Sequence, residues 1–333
     1  MPSVSHWLVT GAAGFIGSHL VEELLRRDQV VRGLDNLSTG RMSNLEDVRR
    51  RVGAERWSRF TWMEGDIARP SDVERAVAGA EYVLHQAALG SVPKSVEDPR
   101  TNHESNVTGF LNMLLASRAA GVRRVVYASS SAVYGDCTES PAREERIGAP
   151  LSPYAVSKRM DEEYADVFAR CYGFEAVGLR YFNVFGPRQD PNGAYAAVIP
   201  RWIDALIAGR TVEIYGDGET TRDFCPVENI VHANLLAAVA DLPREAPRVF
   251  NVGLGGGTTL NTLFGHLRDE VARSRPEVAA VRPAYGPFRA GDVRHSCADA
   301  SRIREWLGFK PVKDLATGLA ETARWFANAH IPA

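Results

Sequence analysis

Cysteine is scarce in this chain. Its 333 residues include four, Cys137, Cys171, Cys225 and Cys297, which lie far apart and form no C-x-x-C. A disulfide framework is therefore not expected, and a reducing cytoplasm is the compartment that suits the chain. Long apolar runs are missing too. None approaches the about 18 residues of a membrane span. The first strand begins within a few residues of the start, with no basic region, apolar stretch and cleavage site of a leader. Neither sign of charge dominates: 39 Lys and Arg against 41 Asp and Glu leave a net −2. Composition thus gives no reason to expect nucleic acid or an anionic membrane as partner. Repeats, low-complexity tracts and long charge runs are absent.

What remains is ordinary for a globular chain, with 45% hydrophobic and 24% charged residues. At 36.5 kDa it can bury a large core, as one large domain or a large domain with a smaller partner. Short apolar runs at 7–9, 30–34, 60–63, 82–84, 125–128 and 176–182 read as strands. Amphipathic patterns at 16–27, 71–78, 106–120 and 152–172 read as helices between them. Strand and helix in alternation predict right-handed crossovers and a parallel sheet. Beyond Gly186 the rhythm loosens: 188–193 reads as a polar loop, and 194–208, 229–239 and 260–273 as helices. Val249 to Val252 reads as a strand that returns to the first sheet. The expectation is an α/β chain of two interleaved lobes.

Gly11, Gly14 and Gly17 fall where a strand ends and a helix begins. Glycine there permits a tight turn and lets a pyrophosphate approach the N–H groups of a helix N-terminus. The spacing is G-x-x-G-x-x-G, and Phe15 and Ile16 lie inside it. Asp35 ends the second strand, 18 positions after Gly17, where a carboxylate can take ribose hydroxyls and would repel a 2′-phosphate. NAD is favoured over NADP on that ground. Asp66-Ile67 closes the third strand, where it either meets the adenine or begins a helix.

Tyr154 and Lys158 form a Y-x-x-x-K pair downstream of the run Ser129-Ser130-Ser131. Tyrosine titrates near pH ~10 in isolation and is a poor base at neutrality. A lysine four residues on shares its helix face, and its ammonium favours the phenolate. The tyrosine can then act as a base. Ser130 is the first choice to hydrogen-bond the reacting hydroxyl and Ser131 its rival. Glycine turn, serine run and Y-x-x-x-K in this order describe transfer of a hydride to and from a nicotinamide.

At these residues the chain resembles the extended short-chain dehydrogenase/reductase family over almost its full length. Within it the likeness is to UDP-sugar 4-epimerases. The matching stretches are 10–17, Asp35-Asn36-Leu37-Ser38-Thr39-Gly40, Tyr154-Ala155-Val156-Ser157-Lys158, 180–186, Thr221-Arg222-Asp223-Phe224 and Arg289-Ala290-Gly291-Asp292. The stretch 188–200 is similar to bacterial UDP-N-acetylglucosamine 4-epimerases of O-antigen and capsule pathways. The resemblance implies a Rossmann-type doubly wound parallel sheet over 1–186, with returning segments from about 229–256. It also implies a smaller interleaved C-terminal α/β lobe over 187–333 that mainly binds the UDP-sugar. NAD would stay tightly bound, touched also by Asn36, Ser38, Thr39, Gly40, Gln86, Ala87, Ala88 and Tyr181.

The same scaffold carries 4,6-dehydratases and decarboxylating relatives, which place acidic residues directly after the first catalytic hydroxyl. Here Ser131 and Ala132 stand there, and elimination lacks its acid and base. Simple return of the hydride is left. Tyr154 would remove the C4 hydroxyl proton as hydride leaves C4, and Ser130 would orient the hydroxyl and then the ketone. The 4-ketosugar would swing about its diphosphate and take hydride back on its other face.

By the same resemblance Arg222 and Arg289 clamp the diphosphate, as bidentate guanidinium geometry suits. Asn183 contacts the diphosphate end, Asp292 the uridine ribose, and Val198 and Tyr215 wall the uracil. Ser296 occupies a place that holds a large aromatic residue in galactose-type enzymes of restricted specificity. With Gly90, Ala132 and Ala197 it leaves room for an N-acetyl group, and Gln189 and Asn183 could supply polar contacts to the amide. UDP-N-acetylglucosamine and UDP-N-acetylgalactosamine are favoured. UDP-glucose or a UDP-hexuronic acid is the alternative, with Arg188 and Arg201 as candidates for a C5 carboxylate, and a non-catalytic NAD-binding regulator is a more distant one. His85 is read as structural, His295 has no second ligand with it, and no metal is expected. In this family the helices at 106–120 and 152–172 make a four-helix bundle, which implies a homodimer.

Overall fold

The computed structural model describes residues 4–191, 197–288 and 293–329. In the first half, strands and helices alternate in the order β1 (His6–Thr10), α1 (Phe15–Arg26), β2 (Val30–Asp35), α2 (Met42–Trp57), β3 (Phe60–Glu64), α3 (Pro70–Val77) and β4 (Tyr82–His85). Short helices α4 (Val92–Glu97) and α5 (Pro99–His103) lead through a π turn, Glu104–Thr108, into α6 (Gly109–Ala119). Then come β5 (Arg124–Ser130), α7 (Pro153–Tyr172) and β6 (Ala176–Tyr181). The second half holds β7 (Val184–Phe185), α8 (Val198–Ile207), β8 (Glu213–Tyr215), β9 (Thr221–Arg222), β10 (Cys225–Pro226), α9 (Val227–Val239) and β11 (Val249–Val252). It ends with β12 (Thr258–Thr259), α10 (Leu260–Ala272), β13 (Ala284–Gly286), β14 (His295–Ser296), α11 (Ser301–Leu307) and α12 (Leu315–Ala329).

Seven strands form one parallel sheet in the order β11-β6-β5-β4-β1-β2-β3. The reversal between β1 and β4 is the switch point at which doubly wound sheets open a crevice. β4 and β6 are buried along their whole length, as strands covered on both faces must be. Side chains alternate across the sheet. Trp7 and Val9 pack with Leu20, Leu24, Leu235 and Phe250 on one face. Leu8, Leu34, Val83 and Tyr127 pack with Phe110, Leu114 and Phe168 on the other. β11 returns from beyond α9 to pair with β6, Val249 opposite Gly178 and Asn251 opposite Arg180.

The second-half elements build a separate core around Phe185, Trp202, Ile203, Ile214, Phe224, Phe264 and Phe326. Small sheets tie it together: β12-β9-β14, β10-β7 and β13-β8. β7 and β10 sit at the join between the two cores: Val184 and Cys225 pack with the first and Phe185 with the second.

The structure adds elements for which the sequence reading gives no range: α4, α5, α11, α12 and the short strands β7–β10 and β12–β14. α2 has no periodic signature in the sequence, because only Leu45, Val48 and Val52 of its 16 residues are buried and Gly53 (φ 81°) breaks it. The helix read from Asn106 begins instead in the π turn. The helix read from 194 begins at Val198, and 192–196 lie outside the described residues. Where the sequence reading assigns a strand or helix, the remaining positions agree to within a few residues at each end.

Candidate active site

The glycine turn gives α1 a bare N-terminus. Gly14 is its N-cap, and no side chain caps it. Gly11 has φ +66°, and a Cβ there would lie 2.8 Å from Ala87 N. A Cβ on Gly17 would lie 2.0 Å from Gly11 O. Backbone thus packs on backbone, and the first N–H groups of α1 face the cleft as an anion cradle. This turn, together with Asp35, is the donor and acceptor set a dinucleotide needs, and the residues fit one.

Asp35 ends β2 and is 7% exposed. Its Oδ2 accepts from Ala13 N (3.0 Å) and its Oδ1 from Leu37 N (2.8 Å). Burial raises its carboxyl above the usual range, and these hydrogen bonds pull it back. The carboxylate pins the turn as well as facing the cleft. A Cβ on Gly40 would lie 2.8 Å from it, so glycine is needed there. Ser38, Thr39, Asn36 and Ile67 line the cleft. Asp66 is spent on Asn36 Nδ2 (3.1 Å) and Ala68 N (2.8 Å).

A cleft of about 1220 Å³ runs from this turn across the strand ends. Its wall includes Gln86, Ala87, Ala88, Gly90, Ser130, Ser131, Ala132, Tyr154, Lys158 and Tyr181. Tyr181 Oη donates to Gln86 Oε1 (3.1 Å) and accepts from Asn234 Nδ2 (2.8 Å), and burial drives its pKa up. That phenol is a fixed part of the wall. His85 Nδ1 meets Thr10 Oγ1 at 2.8 Å, and burial lowers the ring to about 3, so it is neutral.

Ser152 caps α7 through Ala155 N, Pro153 opens it, and Gly173 closes it in the left-handed region. Tyr154 therefore sits in the first turn, its N–H bonded to Ser95 Oγ at 3.0 Å. Lys158 is 3% exposed one turn on, with Nζ 3.1 Å from Asp161 Oδ2. Ser130 ends β5, and its Oγ accepts from Ala132 N (3.1 Å), leaving the hydroxyl proton to donate. Ser129 donates to Glu162 at 2.5 Å and is committed to the helix–sheet seam.

The same cleft is lined by Asn183, Gln189, Ala197, Arg222 and Ser296. Asn183 has φ +31°, a strained value for a non-glycine residue where β6 leads into β7. Gln189 Nε2 donates to Val184 O (3.2 Å), and its buried Oε1 has no partner. Val198 and Tyr215 wall an adjoining cavity of about 260 Å³ with Trp202, Phe224 and Leu260. Arg222 borders both spaces. Arg289 and Asp292 lie outside the described residues.

One candidate is corrected. Arg188 does not face the cleft as a polar-loop residue. It is 5% exposed, paired with Glu22 and with Asp47 (3.1 Å), and burial lowers it to about 10. It cannot meet a sugar carboxylate. Arg201 borders the smaller cavity.

Several residues were not foreseen. Asn106, in the π turn, accepts from Leu89 N (2.8 Å) and donates to Ser157 Oγ (3.0 Å), which in turn bonds Tyr154 O (2.8 Å). This chain locks the loop after β4 against the first turn of α7. Ser95 and Asp161 complete the surroundings of the Tyr154–Lys158 pair. Their only signal in the sequence is polarity on buried helix faces.

Residues 7–253 match the NAD dependent epimerase/dehydratase family. The chain belongs to this family. It is 40% identical over 324 residues to a UDP-glucose 4-epimerase of Mycolicibacterium smegmatis, covering 96% of this chain and 98% of that one. It is 36% identical over 329 residues to a dTDP-glucose 4,6-dehydratase of Streptomyces griseus, covering 97% and 94%. Among solved structures it is similar to the UDP-N-acetylglucosamine 4-epimerase of Methanobrevibacter ruminantium M1 in complex with UDP-N-acetylmuramic acid. The TM-score there is 0.88 at 39% identity, covering 98% of this chain and 100% of that one.

Proposed function

We propose that the protein is an NAD-dependent UDP-sugar 4-epimerase that interconverts UDP-N-acetylglucosamine and UDP-N-acetylgalactosamine. One observation carries the reading. The two residues that follow Ser130 in the cleft wall are Ser131 and Ala132. No carboxyl follows the hydroxyl, so the site can oxidise and reduce C4 but has nothing there to expel water from the sugar.

The segment 1–186, with the returning 229–256, holds NAD through Gly11, Gly14, Phe15, Ile16, Gly17 and Asp35. Bound NAD supplies a hydride acceptor for sugar C4 that is regenerated in each turnover. Tyr154 Oη takes the C4 hydroxyl proton and gives it back. The Lys158 ammonium favours the phenolate that results. Ser130 Oγ, or Ser131 Oγ beside it, donates to the sugar oxygen and fixes its distance from Tyr154. The residues of 187–333 hold the nucleotide end, Arg222 with Arg289 at the diphosphate, Tyr215 and Val198 at the base and Asp292 at the ribose, and Asn183 of the first segment reaches the diphosphate.

Side-chain size supports the reading of the sugar class. Gly90, Ala132, Ala197 and Ser296 are all small and border one cleft. Gln189 brings an unpartnered carbonyl oxygen to it, an acceptor for an amide N–H. The M. ruminantium structure carries UDP-N-acetylmuramic acid, also an N-acetylated sugar. The likeness to a UDP-glucose 4-epimerase keeps UDP-glucose as the second substrate to test. We further infer a homodimer through α6 and α7, which leave Leu115, Val156, Val167 and Tyr172 exposed. All four cysteines are free thiols, which suits the cytoplasm.

The purified protein, given UDP-N-acetylglucosamine and no added NAD, is expected to produce UDP-N-acetylgalactosamine by proton NMR. Turnover of UDP-glucose alone would keep the chemistry and overturn the sugar. No turnover of any UDP-sugar with NAD added would overturn both.

A further inference from the structure

The Lys158–Asp161 ion pair is almost sealed, with side chains 4% and 2% exposed. Positions 154, 158 and 161 fall at i, i+4 and i+7, on one stripe of α7. The stripe reads phenol, ammonium, carboxylate from the cleft inward. The second carboxylate oxygen, Asp161 Oδ1, is buried without a hydrogen-bond partner. Such an oxygen costs free energy wherever it occurs. Helix-to-sheet anchoring does not require it, because the next residue does that work. Glu162 binds Arg180 Nε and Nη2 of β6 (2.9 and 2.7 Å) and Ser129 Oγ of β5 (2.5 Å). Asp161's partner is Lys158.

We propose that Asp161 is a positioning residue that holds the Lys158 ammonium beneath Tyr154 and, as its counter-charge, limits how far that ammonium acidifies the phenol. The inference rests on the reading of Tyr154 as the proton acceptor. Other charged and titratable groups around the pair leave this role to Asp161. His85 of β4 faces Lys158 and is neutral. Glu162 is neutralised by Arg180. Tyr127 of β5 faces Asp161 with its pKa pushed well up by burial, so it carries no charge. Tyr181 of β6, beside Tyr154, is likewise neutral. Burial raises the Asp161 carboxyl to about 6, against the pull of Lys158. Above that pH the carboxylate offsets the lysine's field at Tyr154, and below it the field acts whole.

The test needs no turnover. Tyrosinate ultraviolet absorbance of the NAD-bound protein, minus that of its Tyr154→Phe variant, gives the Tyr154 midpoint. Asp161→Asn keeps an oxygen acceptor for Lys158 and removes the charge. Seven residues of helix separate Asp161 from Tyr154 by roughly 10 Å. Removing a unit charge at that distance is expected to lower the midpoint by about one pH unit. The acid limb of kcat/KM for epimerisation should move down with it. Asp161→Ser is expected to shift the midpoint the same way and serves if the amide variant does not fold. An unchanged midpoint in a folded variant, with or without lost stability, overturns the proposal. Wild-type protein that turns over no UDP-sugar, but whose midpoint still shifts with Asp161, would sink the epimerase reading and leave the lysine's counter-charge standing.

Discussion

Arg180 grips Glu162 with two parallel hydrogen bonds, from Nε to Oε1 at 2.9 Å and from Nη2 to Oε2 at 2.7 Å. The pair fixes the height of α7 over the sheet, and Tyr154 and Lys158 ride on α7. Arg180 also donates to Glu144 O (3.0 Å) and lies over the ring of Tyr134. Arg180→Leu strands a buried carboxylate and is expected to cost about 3–5 kcal/mol of unfolding free energy. Chemical denaturation measures it. Adding Glu162→Leu should restore part of the loss, because the stranded charge is gone.

The two serines at the end of β5 can be separated. Ser130 already accepts from Ala132 N and can aim its proton at a sugar oxygen. Ser130→Ala is expected to lower kcat about 10²-fold with little change in KM. Ser131→Ala should lower it less. Tyr154→Phe should lose about 10²–10⁴-fold while NAD still co-purifies. A Ser131→Ala defect larger than that of Ser130→Ala would reverse the assignment.

Ser296 borders the cleft beside Arg222, in β14 where it pairs with β9. Ser296→Tyr is expected to fill the space of the acetamide. Turnover of UDP-N-acetylglucosamine should fall at least about 10-fold relative to UDP-glucose. Equal losses on both sugars would remove Ser296 from specificity.

Asp161 also makes stability depend on pH. Its folded pKa, about 6, lies above the ordinary 3.8. Between these values the folded state holds the proton more tightly than the unfolded chain. Stability from this group is therefore present at low pH and declines as pH rises through the window. The total is up to about 3 kcal/mol. Unfolding curves of Asp161→Asn and of the wild type should converge towards pH ~4 and separate towards neutrality. Curves that stay parallel across the window would show that the carboxyl is not raised.

The periodic parts of the molecule were legible in the sequence. β1 and β4 are unbroken apolar runs because helices cover both their faces, and such runs declare themselves without neighbours. The glycine turn was legible for a related reason: two of its glycines answer steric demands made within a few residues or by the next strand. Arg188 shows the limit. Its partners, Glu22 and Asp47, lie more than a hundred positions away, and nothing near Arg188 in the chain marks it as interior. α2 shows another, since a helix that buries three side chains leaves almost no periodic trace. Of the cleft wall, Ser130, Tyr154, Lys158, Asn183, Gln189 and Arg222 are named by motif, while Ser91, Lys94 and Ser105 are not. The network beneath it, Asn106, Ser157, Ser95 and Asp161, carries no motif of its own, because its contacts form only when helices meet.

The last strand of the sheet has a consequence for how the chain matures. β11 arrives some 70 residues after β6, the strand it covers. During synthesis, β6 emerges with an open edge and six residues destined for the interior. It must wait until α9 and β11 have left the ribosome. A nascent chain stalled in that interval presents an unpaired apolar edge, the kind that recruits strands from other molecules. Expression trials that truncate the protein before Val249 should therefore yield inclusion bodies, whatever the intrinsic quality of the glycine turn they retain.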